Sequence, residues 1–335
     1  MKYYLVPLKF LTPVHFGDAA NGGGLEKSSF ACAADTFFSA LCNEAAAQSR
    51  AAVEELIDGF NSGRLQISSL LPYYKTQDED MYFYLPKPLL PLERNIAEAK
   101  SFAEMKQAAT KLKKAKKSSY VRASQIKKFL APEPFLENTQ EFAVPVLSAK
   151  VNTRNAEPLP YYVASYRFVD NAGLYLICGT ESDADYEKLK ALIASLGLSG
   201  IGGKRSGGYG KFVIRDDEDD IELAPGFGCY EDDAALAEML FAEKSRWQMC
   251  IAPVFPKQEQ IADIKAGAYK LIKKSGFVYS LAVTNGVKRT SAYMLAEGSC
   301  FQSRLRGSLL RQAVPGLEHA VYRNGLGMFV GLKND

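Results

Sequence analysis

The sequence predicts an α+β protein built as two halves in tandem, and three observations carry that prediction. The chain has 335 residues, which at roughly 150 residues per domain is about two domains. Residues 216–243 hold eleven acids and no Lys or Arg, a break in composition that marks a joint. Each side of that joint opens on a strand and then mixes short helices with strands. The expected organisation is residues 1–215, an acidic joint at 216–243, and residues 244–335.

The elements follow in order. Lys2 to Phe10 alternates like a strand and ends in the turn-rich Thr12-Pro-Val-His-Phe-Gly-Asp. Phe37, Phe38, Leu41 and Cys42 then recur at helical spacing behind Asp35, a natural N-cap. Leu65–Leu70 and Met81–Leu85 read as strands, and prolines 86, 88 and 91 stop regular structure. From Lys100 to Lys128 there are ten Lys or Arg and a single acid, Glu104. This basic insertion, about residues 86–145 in all, reads as a solvated helix or as an electrostatic arm for RNA or a partner.

Val144–Ser148, Lys150–Arg154 and Tyr161–Val169 read as strands around a turn at Asn155-Ala-Glu-Pro, and Leu174–Cys178 extends the sheet. Leu189, Leu192, Ile193 and Leu196 form one apolar stripe of a helix over Asp185–Leu196. A glycine-rich loop and a strand at Lys211–Arg215 follow. Past the joint come a strand at Trp247–Phe255, a helix around Gln260–Lys274, and strands near Phe277–Val283 and Arg289–Leu295. Between Lys244 and Arg311 there are twelve basic residues and three acids.

Composition narrows the function. Hydrophobic residues make up 47% and charged residues 24%, which excludes a disordered chain or a fibre. The net charge of +3 excludes a general basic coat, so any nucleic-acid role rests on local charge. Six cysteines form no CxxC pair, and His15 and His319 are the two histidines; no zinc spacing arises and the thiols read as reduced and buried. The consecutive acids at 216–220 read as solvated linker carboxylates, so no metal and no cofactor are expected. Without a signal-peptide core or an apolar run of membrane length, the expected location is cytoplasmic.

The most informative segment is Gly197-Leu-Ser-Gly-Ile-Gly-Gly-Lys-Arg-Ser-Gly-Gly-Tyr-Gly-Lys-Phe, in which half of residues 197–210 are glycine. Glycines let backbone amides approach a ligand and form a nest for phosphate. Lys204, Arg205 and Lys211 add charge, and Tyr209 offers a stacking face or packs under the loop beside Phe212. The order is helix, loop, strand, so this is not a nucleotide-binding P-loop, which needs GxxxxGK[ST] ahead of a helix. A flexible cradle for a polymer backbone is the reading that remains. On that basis Gly203→Val and Gly208→Val should damage binding more than stability.

This segment resembles the glycine-rich loop of the RAMP superfamily of CRISPR RNA-binding proteins. The opening, a strand followed by Pro13-Val-His-Phe-Gly, is similar to that superfamily too, and three phrases resemble the Csm subunit four group of type III-A effector complexes: Ala34-Asp-Thr-Phe-Phe-Ser-Ala-Leu-Cys, Glu297-Gly-Ser-Cys-Phe, and the tail from His319-Ala-Val-Tyr-Arg-Asn-Gly to Leu332. The resemblance implies tandem ferredoxin-like RAMP domains. It implies a non-catalytic subunit of an antiviral interference complex that holds the 5′ tag of the crRNA. Its implied partners are crRNA, the large polymerase-like Cas subunit and the first backbone RAMP subunit. A thumb-like hairpin, about 148–168, is implied to push between nucleotides. The implied RNA-binding residues are His15, Lys150, Asn152, Arg154, Gly202, Gly203, Lys204, Arg205, Ser206, Gly207, Gly208, Tyr209 and Lys211. The alternative is a RAMP-type endoribonuclease that processes precursor crRNA with His15 as acid and base. That chemistry needs a second group on the same phosphate, and the sequence identifies none. A generic RNA-binding α+β protein is the third class.

Overall fold

The computed structural model describes residues 1–17, 24–91, 106, 118–131, 140–153, 157–215, 220–278, 287–314, 317 and 319–332. Most of the basic insertion, Arg154 and the acids at 216–219 lie outside the described residues.

The first half runs β1 (Lys2–Phe10), β2 (Phe16–Gly17), β3 (Ser28–Ser29), α1 (Ala34–Gln48), α2 (Arg50–Ser62), β4 (Leu65–Ile67), β5 (Leu71–Lys75), β6 (Met81–Pro86), β7 (Tyr120–Arg122), α3 (Ile126–Leu130), β8 (Ala143–Asn152), β9 (Leu159–Phe168), β10 (Ala172–Thr180), α4 (Asp183–Ser199) and β11 (Phe212–Ile214). The chain continues through β12 (Ile221–Leu223), α5 (Glu231–Phe241), β13 (Trp247–Val254), α6 (Ile261–Lys265), β14 (Leu271–Lys274), β15 (Phe277–Val278), β16 (Val287–Lys288), β17 (Ala292–Leu295), β18 (Cys300–Phe301), β19 (Ser308–Gln312) and β20 (Val321–Leu332). The fold is mixed α and β, as the sequence predicts.

One antiparallel sheet has the order β11-β1-β10-β5-β6-β7, with β12 also on β1 and β4 on β10. A second has the order β14-β17-β13-β20-β19, with β18 on β13. β10 is almost entirely apolar and buried along its whole length, which makes it the spine of the first sheet. α4 starts at Ser182, whose hydroxyl accepts from Asp185 N, and lays Leu189, Leu192, Ile193 and Leu196 on the core.

Two local expectations change. Asp35 does not cap α1; Ala33 holds the N-cap position, and Asp35 lies buried in the first turn. The α1 amide of Ala34 instead donates to Ser69 Oγ at 3.0 Å. The helix expected over Gln260–Lys274 is a five-residue α6 followed by β14. Just past the end of α6, Gly267 lies against the Phe301 ring, where a Cβ would clash. With so little helix of its own, the second sheet packs β13 and β20 against α1, and β20 against α5.

The acidic stretch, where described, pairs with the first sheet and buries Asp232 and Asp233, whereas Asp220, Glu222, Glu231, Glu238 and Glu243 are exposed. Ile221–Leu223 pairs with Tyr3–Leu5 of β1. Asp232 is fully buried and accepts from Phe83 N (3.0 Å), Ser124 N (2.9 Å) and Arg122 Nε (3.1 Å). Asp233 accepts from the amides of Cys229, Tyr230 and Ala234 at the start of α5. Burial pushes its carboxyl above the ordinary value while those amides pull it down. These acids serve as internal acceptors, which buried backbone donors require.

Asp232→Ala is therefore expected to lower the unfolding free energy by about 3–5 kcal/mol, because it leaves the amides of Phe83 and Ser124 without an acceptor and takes from Arg122 its buried carboxylate partner. Urea unfolding of the full chain measures it, with Glu259→Ala on the exposed surface as a near-neutral control; a decrease below about 1 kcal/mol would contradict this account.

Candidate nucleic-acid interface

The site is assembled from three segments that meet at the end of the first sheet: the turn after β1, the glycine-rich loop after α4, and the β8–β9 hairpin. The turn and loop are stitched by the backbone. Gly203 N donates to His15 O at 2.8 Å, Gly210 N to Pro13 O at 2.9 Å, and Leu11 N to Lys211 O at 2.8 Å. Lys211 N donates to Thr12 Oγ1 at 2.9 Å. Within the loop, Gly207 N donates to Lys204 O and Gly208 N to Arg205 O, both at 2.8 Å. The amides of Gly203, Gly207, Gly208 and Gly210 thus already have partners in the fold and are not available to a phosphate nest. Side chains present the charge instead.

The turn also binds the hairpin. Val14 and Tyr166 exchange backbone hydrogen bonds at 2.8 and 2.9 Å. His15 Nδ1 lies 2.6 Å from Ala164 O; a carbonyl only accepts, so Nδ1 carries the proton. His15 is 5% exposed, with its ring against Gly203. It joins loop and hairpin from beneath.

Lys204 adopts the left-handed conformation (φ 62°), and its Nζ sits over the Tyr161 ring at 4.9 Å from the centroid. Tyr161 stands directly opposite Lys150 in the hairpin ladder. The strip Lys204–Tyr161–Lys150 therefore runs from the loop onto the hairpin, with Asn152 further along the same face. Ser206 and Lys211 are exposed, and Arg205 is half-buried. Tyr209 is half-buried with its ring beside Gly207, and it does not pair with Phe212, which lies 5.4 Å from Phe10. Sequence reasoning missed Tyr161; the signal is its register opposite Lys150, which only the pairing reveals.

The hairpin has two unlike faces. Val163 and Ser165 are buried on the Lys150 face, which rests on the body. The other face carries Pro145, Leu147, Ala149, Val151, Pro160 and Tyr162, all exposed. Leu147 is 63%, Val151 56% and Tyr162 50% exposed. An apolar stripe of this kind on a folded surface marks an interaction site.

Two family phrases close the opposite side of the molecule. Glu297 Oε1 accepts from Ser69 Oγ at 2.7 Å, and Gly298, at φ +85°, lies against the Lys87 carbonyl where a Cβ would clash. In the tail, Arg323 is buried beside Asp35, while His319 is exposed and lies outside the strip described above. Among the described residues, no cluster of His, Cys, Asp or Glu could hold a metal ion, and no helix is long and apolar enough to cross a membrane.

Comparison with known proteins places this geometry. Residues 243–332 match the family model described as the CRISPR Csm4 C-terminal domain. The CRISPR system protein Csm4 of Mycobacterium tuberculosis is 29% identical over 327 residues, 95% of this chain and 94% of that one. Over nearly its whole length the chain is similar to Csm4 proteins, and its C-terminal region matches the Csm4 C-terminal domain. Csm4 of Streptococcus thermophilus is 27% identical over 99% of this chain and 100% of its own length. Among solved structures, a Csm1–Csm4 cassette in complex with pppApA covers 99% of this chain and 98% of its own (TM-score 0.59, 21% identity). A Csm3–Csm4 subcomplex of the type III-A interference complex covers 100% of each (TM-score 0.58, 18% identity). At these identities the structures establish a shared fold.

The glycines separate structural from ligand-facing positions. A Cβ on Gly203 would lie 2.6 Å from His15 Cδ2, whereas one on Gly207 would meet only Tyr209 at an ordinary 3.8 Å. Gly208 has open space but a φ of +83°, which strains any L side chain. Gly203→Val and Gly208→Val are thus poor probes of binding, contrary to the sequence expectation. Gly203→Val is expected to lower the melting temperature by several degrees. Gly207→Ala should melt like the wild type and still bind RNA more weakly if RNA approaches the loop closely; equal melting of both variants would refute this division.

Proposed function

We propose that this chain is the non-catalytic crRNA-binding subunit of a type III-A interference complex. It holds the 5′ tag of the crRNA and bridges the large polymerase-like subunit to the backbone RAMP subunits. The observation that carries the reading is the continuous Lys204–Tyr161–Lys150 strip, set where the glycine loop meets the hairpin. Cations tracking along an aromatic ring suit a single strand, whose phosphates and bases alternate. Arg205, Ser206 and Lys211 extend the strip at the loop end.

The relatives' assemblies support the partner assignment. Csm4 proteins have been crystallised with Csm1 and with Csm3, and the exposed apolar hairpin face gives this chain a surface to cover. The strand order β11-β1-β10-β5, with α1 and α4 as crossovers, supports reading the first half as a ferredoxin-like RAMP domain. The second sheet is read as the second RAMP-like domain.

The non-catalytic reading follows from His15. Its Nδ1 is engaged by Ala164 O and its ring is buried, whereas general acid–base cleavage needs a group that reaches the phosphate.

A Lys204→Ala/Arg205→Ala double variant tests the proposal. Its affinity for crRNA should fall, and its salt slope should decrease by roughly 0.7 for each phosphate that is no longer neutralised. Fluorescence titrations across a salt series read both, with circular dichroism to check folding. Unchanged affinity and slope would make the loop a structural turn. Metal-free incubation with repeat-containing RNA should give no specific product; cleavage abolished by His15→Ala would establish the endoribonuclease instead.

A further inference from the structure

A second cationic cluster lies away from the loop, where α1 meets the C-terminal sheet. α1 presents Asp35 and Ser39, one helical turn apart. Lys274 Nζ is 2.9 Å from Asp35 Oδ1, and Arg323 Nη1 is 3.7 Å from Asp35 Oδ2. Arg289 donates to Ser39 Oγ at 3.2 Å and to Tyr322 O at 2.5 Å. Among the described residues the three cations face two carboxylates, Asp35 and Glu297, so one positive charge is left over. It falls on Arg289, whose hydrogen-bond partners are a neutral hydroxyl and a carbonyl.

The donors are also incompletely used. Arg289 Nε and Arg323 Nε and Nη2 have no hydrogen-bond partner, and Arg323 is 1% exposed. Burial and the neighbouring Arg323 push the Arg289 guanidinium down to about 10, which leaves it charged at neutral pH. A buried guanidinium with neutral partners is unfavourable unless an anion completes it. The setting favours one. Lys288 and Arg311 are exposed on either side of Arg289 in sequence and sheet: Lys288 precedes it, and Arg311 stands opposite Tyr322 in the β19–β20 ladder. Among the described residues from 287 to 332, Glu297 is the single acid.

We propose that Arg289, which is partly exposed, and the buried Arg323 form an oxyanion site that takes a phosphate group. Guanidinium forks match phosphate oxygens in geometry as well as charge. The phosphate belongs to an RNA strand or to free inorganic phosphate. The inference rests on the RNA-binding reading only for the first of these sources.

The test uses the full chain as wild type, Arg289→Gln and Arg289→Lys. Thermal melts are compared in sodium phosphate and in sodium chloride at matched ionic strength, and a single-stranded RNA oligonucleotide is titrated across a salt series. Phosphate should raise the wild-type melting temperature above that in chloride, and Arg289→Gln should abolish the difference. In chloride, Arg289→Gln should melt no lower than wild type, because it removes an unpaired charge. Its RNA salt slope should fall by about 0.7. A phosphate response without a slope change assigns the site to free phosphate; a slope change without a phosphate response assigns it to RNA. If Arg289→Gln does not fold, Arg289→Lys, which keeps the charge but not the fork, should still weaken the phosphate response. Identical wild-type melts in the two salts, together with an unaltered slope in the variants, overturn the proposal. So does a variant destabilised in chloride while wild type shows no response to phosphate, since Arg289 would then serve only its two hydrogen bonds. The Lys204→Ala/Arg205→Ala variant, titrated alongside, fails or succeeds independently of these outcomes.

Discussion

The hydroxyl of Ser69 is the point on which the two halves depend. It accepts from Ala34 N at the start of α1 and donates to Glu297 Oε1 in the C-terminal half. Its own amide donates to Ile251 O of β13 at 2.9 Å. One residue earlier, Ser68 N donates to Ile177 O, and Ser68 Oγ accepts from Ile177 N. Two consecutive serines between β4 and β5 therefore tie the spine of the first sheet, the first helix and the centre of the second sheet. Each hydroxyl is buried, so each must be paired where it stands. That requirement fixes α1 against the second sheet, and it sets Asp35 and Ser39 in front of Arg323 and Arg289.

The same economy shapes the nucleic-acid interface. His15 uses its carbonyl for the loop and its Nδ1 for the hairpin. The loop's shape is thereby determined by the body, and the amides of Gly203, Gly207, Gly208 and Gly210 are occupied. What remains variable is the direction of a few side chains, chiefly Lys204, which the left-handed backbone and the Tyr161 ring hold over the hairpin. The hairpin then separates two chemistries by the period of a strand. Residues of one parity face the strip, and those of the other present Leu147, Val151 and Tyr162 to solvent. One element thus presents a cationic–aromatic face and an apolar face on its two sides.

How much of this is legible in the sequence depends on whether a signal is local. β1, β6, β10, β11, β13 and α4 follow from alternation, apolar runs or an apolar stripe, which neighbouring residues encode by themselves. The glycine loop is visible as composition, but its role is not. Whether its amides are free depends on Pro13 and His15, nearly two hundred residues away. Asp35 looks like an N-cap because Asp at a helix start is usually solvated; its partners Lys274 and Arg323 lie in the other half. The helix expected after Gln260 stops at Lys265, and just beyond it Gly267 lies against the Phe301 ring, a contact distant in sequence. Tyr161 carries no signal of its own, only a register.

The acidic stretch shows most clearly why composition misleads. Its carboxylates suggest a solvated tether between independent domains. Yet the second sheet has little helix of its own, and α5, which begins in those acids, covers β20. A helix that enters a core with its N-terminus buried needs acceptors for its leading amides. Asp233 supplies them, and Asp232 supplies the amides of β6 and the segment before α3. Acids near a helix start also suit its dipole. The run of charge is thus what allows α5 to be shared between the two halves. The core around Leu236 and Leu240 accordingly includes residues of both β1 and β20, so α5 packs on the first sheet and the second at once.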